Sequence, residues 1–275
     1  MSYLVEREAR KSVHTKWIVI FAVCCTVCAV MLCGHKPVQA QNRATTVDQA
    51  YLPIQPQALK GELLKSGHDP VELYNLVRRA DHQGLADVAY DTLNKMRREQ
   101  PGNAVALAGY CFAYQVAAGD YDNPDRKNHP FTEAEHKSYT GTLNRAYQLD
   151  PKLWLTYTVE GHTLMPSPYE DVKALRLLKT AVRLAPDVSY THILLAEAYG
   201  VYGTPYHSFQ FAAKECDIAR HLKPVSTRNA DILFDTYDIR MPNREKAADA
   251  KRYLLSTLPP GYKLSPEFRE RLAKY

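Results

Sequence analysis

Asp187–Pro224, DVSYTHILLAEAYGVYGTPYHSFQFAAKECDIARHLKP, is the stretch whose reading decides the fold. A first helix is expected over about Ser189–Tyr202. Ile193, Ala196 and Tyr199 fall at i, i+3 and i+6, and Leu195 pairs with Tyr199 at i, i+4, so the apolar stripe has the helical period. Gly200, Gly203 and Pro205 break it. Ser208 suits the N-cap of a second helix that turns Phe209, Ala212, Ala213, Cys216 and Ala219 inward. Leu222 closes the apolar run, and Pro224 stands just past the helix end, where proline is common.

The same spacings recur on both sides. A small residue stands five before a terminal proline at Ala146/Pro151, Ala181/Pro186 and Ala219/Pro224. Pro151 to Pro186 is 35 residues, Pro186 to Pro224 is 38 and Pro224 to Pro259 is 35. Pro101 opens the series 50 residues before Pro151, so that unit carries an insertion. Periods of this size belong to stacks of helix pairs, each unable to bury its apolar face alone.

On these residues the chain resembles the tetratricopeptide repeat (TPR) family, whose repeat of about 34 residues follows W-x2-L-G-x2-Y, A-x3-F and P. The quoted unit offers His192, Leu195, Ala196 and Tyr199, then Ala212, Cys216, Ala219 and Pro224. Before it come Tyr157, Gly161 and Leu164 with Ala174, Leu178, Ala181 and Pro186. The unit carrying the insertion gives Leu107, Tyr110, Cys111 and Tyr114 with Tyr139, Leu143, Ala146 and Pro151. Leu73, Leu76, Val77 and Ala80 lead to Ala89, Leu93 and Pro101, and Leu233, Phe234 and Tyr237 lead to Ala247, Ala250, Leu254 and Pro259. None carries the family's tryptophan. The resemblance implies an all-α, right-handed α-solenoid of about five hairpins over residues 69–260, with an insertion at 117–130 and a C-terminal capping helix at 261–275.

Of 35 basic and 30 acidic residues, five and two lie in Met1–Ala40, leaving a nearly neutral 30 and 28. That balance supplies no phosphate-binding stripe, so a nucleic-acid partner is not expected. Trp17–Cys33 is an uncharged apolar run behind a basic segment, followed by Val38-Gln39-Ala40. This layout fits a secretory signal peptide cut after Ala40, or a retained anchor at residues 17–33. Either directs the repeats outward, to the periplasm, the cell envelope or the extracellular space. Residues 41–68, with Pro53 and Pro56, read as a flexible leader with a short helix over Ala58–Leu64. Asp69-Pro70-Val71-Glu72 reads as a helix start.

Four of the six cysteines lie in the leader. The other two, Cys111 and Cys216, fall on buried repeat positions and are expected as free thiols. In the insertion, Asp120, Asp122 and Asp125 lack the glycine and terminal glutamate of a calcium loop, so a solvated loop is expected. Tyr202 and Tyr206 flank the Gly203-Thr204-Pro205 bend, where amphipathic rings would suit a protein contact.

Family ligands lie in the concave groove lined by first-helix positions. Carried over by position, that groove is lined here by Tyr74, Arg78, His82, Phe112, Gln115, Thr158, His162, Tyr190, Glu197, Asp231, Asp235 and Asp238. The last three share one helical face, with Arg228 and Arg240 beside them. The sequence calls for no cofactor and no metal, and it lacks serine-nucleophile, phosphate-loop and HExxH motifs. The expected function is a non-catalytic scaffold holding a protein or peptide partner in that groove. The alternatives are an envelope hydrolase working at the acidic end and a self-associating structural protein.

Overall fold

Helix starts and stops follow local chemistry along the chain. In a computed structural model, residues 47–118, 132–165, 171–200 and 207–275 are described. The apolar run at 17–33, nearly all of the insertion and the bend bearing Tyr202 and Tyr206 lie outside them.

The helices are α1 (Pro56–Lys65), α2 (Pro70–His82), α3 (Ala86–Glu99), α4 (Ala104–Ala118), α5 (Glu133–Leu149) and α6 (Trp154–Leu164). They continue as α7 (Asp171–Leu184), α8 (Ser189–Gly200), α9 (Phe209–Ala219), α10 (Thr227–Asp235), α11 (Arg244–Thr257) and α12 (Pro266–Ala273). The last turn of α10 runs on as a π-helical segment, Thr236–Arg240. Caps sit where the sequence puts them. The Asp69 carboxylate accepts from the Val71 and Glu72 amides ahead of Pro70, and Thr132 and Glu135 close a capping box on α5. Ser208 caps α9 and Ser265 caps α12. Each such cap satisfies amides that the helix cannot, at about 1 kcal/mol apiece.

The pairs α2/α3, α4/α5, α6/α7, α8/α9 and α10/α11 are hairpins, and each leans on the next. First helices also touch the first helix of the following hairpin, α2 on α4, α4 on α6, α6 on α8 and α8 on α10. This repeated step is the α-solenoid expected from the proline spacing. Small residues make the step possible. Ala89, Ala146, Ala181 and Ala219 are buried between helices. Gly109 of α4 is tighter: a Cβ there would stand 2.3 Å from Leu73 Cδ2 on α2. Gly109→Ala is therefore expected to lower stability by about 1 kcal/mol, overpacking exceeding the gain in helix propensity. A raised melting temperature for Gly109→Ala would show that the α2–α4 contact can yield.

The buried apolar residues form two clusters, one spanning α1 to α8 with Ala219 of α9 and a second built from α9 to α12 with Ala196. Cys111 lies in the first and Cys216 in the second; both thiols are buried and unbridged. Burial pushes both thiols' pKa up, so neither is a ready thiolate.

The reading of 41–68 as a flexible leader needs correction from Val47 onward. Asp48 and Ala50 are buried, a 3-10 turn covers Gln49–Tyr51, and α1 buries Leu59 and Leu63. Short polar stretches with prolines look alike in sequence whether solvated or held by a distant surface. Here the surface is supplied by α2, α10 and α11. Among the described residues, no helix is long and apolar enough to cross a membrane.

Candidate functional site

Four successive first helices point one aromatic ring each toward the inner face. Tyr74 of α2 stacks on Phe112 of α4 with centroids 4.4 Å apart and planes 3° from parallel. Tyr190 of α8 meets the same ring at 4.3 Å, and Trp154 of α6 at 6.2 Å. Over this stretch the expected groove is a packed interior. Tyr74, Phe112, Thr158 and Tyr190 are all buried. Gln115 is buried too, its amide nitrogen within hydrogen-bond distance of Tyr139 Oη at 2.8 Å, the Val159 carbonyl at 3.0 Å and Thr163 Oγ1. The physical reason is size: rings at positions that in an open groove would be short reach far enough to meet.

Arg78 is drawn into the same interior. Its guanidinium donates to Tyr190 Oη at 3.0 Å and lies 3.8 Å from the Asp48 carboxylate, which is 1% exposed. Tyr190 Oη in turn donates to Asn75 Oδ1. Burial alone would make Arg78 easier to deprotonate, but Tyr190, Asp48 and Tyr74 outweigh it and hold the charge in place. Asp48 has further partners. Its Oδ2 accepts the Thr227 amide at 2.7 Å and its own amide donates to the Thr257 carbonyl at 2.9 Å. Residues 47–53 therefore form a strap from the first hairpin to the last. Asp48 does the capping that Ser226, the N-cap residue of α10, does not.

Among the described residues, two cavities of about 470 and 390 Å³ share Arg228. The larger lies beside the strap and is lined by Tyr51, Arg78, His82, Thr227, Asp231 and Tyr262 among others. His82 packs against Tyr51 at 4.4 Å, and Tyr262 meets Tyr51 edge-on at 5.2 Å. The smaller takes His162, Glu197, Phe209, Asp235 and Arg240. The Arg228 side chain donates to Glu197 and divides the two. The structure thus brings His82, Arg78 and Asp231 together at one opening and His162, Glu197 and Asp235 at the other. It removes Tyr74, Phe112, Gln115, Thr158 and Tyr190 from contact with solvent.

The acidic end is engaged by the capping helix. Arg271 of α12 donates to Asp235 at 2.6 Å and to Asp238 at 2.9 Å, and Tyr275 Oη donates to Asp238 at 2.8 Å. The capping helix thus supplies a neutralising charge to Asp235 and Asp238. Burial pushes the Asp238 carboxyl up, but the hydrogen bonds from Tyr275 and Arg271 prevail and its pKa is lowered. A carboxylate whose folded pKa is depressed adds stability above its unfolded value, near 4, and loses that contribution as pH falls through the lower folded value. Unfolding free energy is thus expected to drop below about pH 4, and less steeply in Asp238→Asn, measured by denaturant titration at each pH. Equal slopes for the two proteins would remove Asp238 from the account.

His192 does not face the inner side. Its ring lies 2.7 Å from Glu215 and 3.0 Å from the Pro186 carbonyl, bridging α8 to α9. Among the described residues, no group of three or more His, Cys, Asp or Glu could hold a metal. The residues that sequence reasoning passed over are Asp48, Tyr51, Arg228 as divider, and Tyr262. A lone acid in a polar leader gives no local signal, because its partners lie on α2, α10 and α11.

No family model matches the chain, and no curated protein does. Among solved structures, a thermophilic TPR protein of Thermus thermophilus is similar at 17% identity, over 80% of this chain and 87% of that one, with a TM-score of 0.36. The helix pairs and the repeated step from one pair to the next, observed in this chain itself, make it an all-α helical repeat protein.

Proposed function

We propose that this chain is a non-catalytic, exported scaffold that binds a protein or peptide segment at the open part of its inner face. The reading is carried by the two cavities that meet at Arg228, each combining aromatic walls with charged side chains. Such mixed linings suit a segment with apolar anchors and a few polar contacts. The engagement of Asp235 and Asp238 by Arg271 at the acidic end favours the binding reading over the catalytic one. Export rests on the N-terminal sequence alone, and N-terminal sequencing of the secreted protein should begin at Gln41 if the leader is cut.

Display selection of peptides against the full chain tests the binding site. Selected segments should bind Arg228→Ala and Tyr262→Ser at least about tenfold more weakly, a loss typical of a central contact. Arg98→Ala, on the exposed side of α3, should bind them normally. Equal binding to all three variants, each with an intact helical spectrum, would remove the inner face from the account.

A further inference from the structure

Residues 47–53 are held in the manner of a bound peptide rather than a core element. The contacts are one carboxylate, a few backbone groups and one ring. Asp48 faces Arg78 and the first amide of α10. Arg79 donates to the Leu52 carbonyl at 2.9 Å and to the Pro53 carbonyl at 2.6 Å. Tyr51 lies between His82 and Tyr262. Ala50 is buried, while Leu52 and Pro53 are exposed. The apolar anchoring is therefore slight, and the specificity lies in the acid.

The site also extends beyond the strap. The larger cavity continues from Tyr51 past Thr227 to Arg228. Thr227 is 5% exposed, lines that cavity, and its hydroxyl has no hydrogen-bond partner among the described residues. A buried hydroxyl left unsatisfied costs stability unless something completes it. The strap fills one part of a site whose remainder is built with polar groups and left open.

We infer that the strap is a built-in surrogate for the partner: the inner face takes an extended segment whose acidic side chain replaces Asp48 against Arg78 and the α10 amide. Such a segment enters along the cavity, completes the Thr227 hydroxyl and displaces residues 47–53. This rests on the inner face being the binding site, and adds to it the chemistry of the partner and the contact that must first be released. A tethered competitor acts at an effective concentration near millimolar, so the intact chain binds the partner segment weakly until the strap leaves.

The test uses the full chain and a fluorescein-labelled peptide of residues 47–55 (VDQAYLPIQ), followed by anisotropy. Ala50→Trp removes the strap's buried small contact without altering the receiving groups, and Asp48→Asn removes its charge. Both variants should bind the peptide at least about tenfold more tightly than the unaltered chain, as expected when a tethered competitor is loosened. The same peptide carrying Asp48→Asn should bind Ala50→Trp at least about tenfold more weakly, a loss expected for a buried charged contact. Equal binding by all three chains would overturn the inference, as would indifference to the peptide's acid. Loss of cooperative melting in both variants would also overturn it, because the strap would then be part of the core. Display-selected segments that need Arg228 but carry no acid would refute the surrogate while leaving the inner-face site standing.

Discussion

Phe112→Ala is expected to lower the unfolding free energy by about 4 kcal/mol, the loss for a buried aromatic side chain truncated in a packed core. The ring is fully buried and lies flat on Tyr74, which in turn meets Tyr190 and Trp154. Removing it takes one face from a cluster fed by four hairpins, so the cavity it leaves cannot close by moving a single helix. The measurement is the denaturant midpoint at unchanged slope. Phe112→Leu should recover about half of the loss, since it restores volume but not the stacked pair. An effect below about 1 kcal/mol for the alanine variant would be the value for an exposed groove residue, and would contradict the closed aromatic interior.

Asp48→Ala is expected to cost about 3 kcal/mol, because it leaves the Arg78 guanidinium buried without its carboxylate partner and takes the cap from α10. The two contributions can be separated. Removing both charges in Asp48→Ala/Arg78→Met should be less damaging than Asp48→Ala alone, since an apolar side chain tolerates the site better than an unpaired cation. A double variant as unstable as the sum of the single ones would show that the pair is not coupled. Asp48 and Arg78 are 30 positions apart, and Asp48 and Thr227 are 179 apart. Loosening this one residue is thus expected to reach both ends of the stack, visible as faster amide exchange in α10 as well as in the strap.

The two largest effects fall on residues that sequence reasoning treated differently. Phe112 is assigned to the groove only through the resemblance, and in the structure α4 is buried on every side from Ala106 to Ala117. Whether that position met water or other rings depended on the side chains of three further hairpins. Asp48 was not singled out at all. The same division separates the caps from the acidic end. Asp69 and Ser208 bond within three residues of themselves, so their duty is legible in the sequence. Asp235 and Asp238 were read correctly as one helical face, yet their partner, Arg271, sits 33 positions beyond Asp238, on the far side of another helix.

The sequence by itself determined the hairpins, their phase and their caps, because helical period, turn formers and small contact positions act over a few residues. Only the tertiary structure decided where the inner face is shut, which acids are neutralised and what the leader does. Those outcomes depend on the sum of small rotations from one hairpin to the next, which brings α2 within reach of α8 and lays residues 47–53 against α10 and α11. No local pattern encodes that sum.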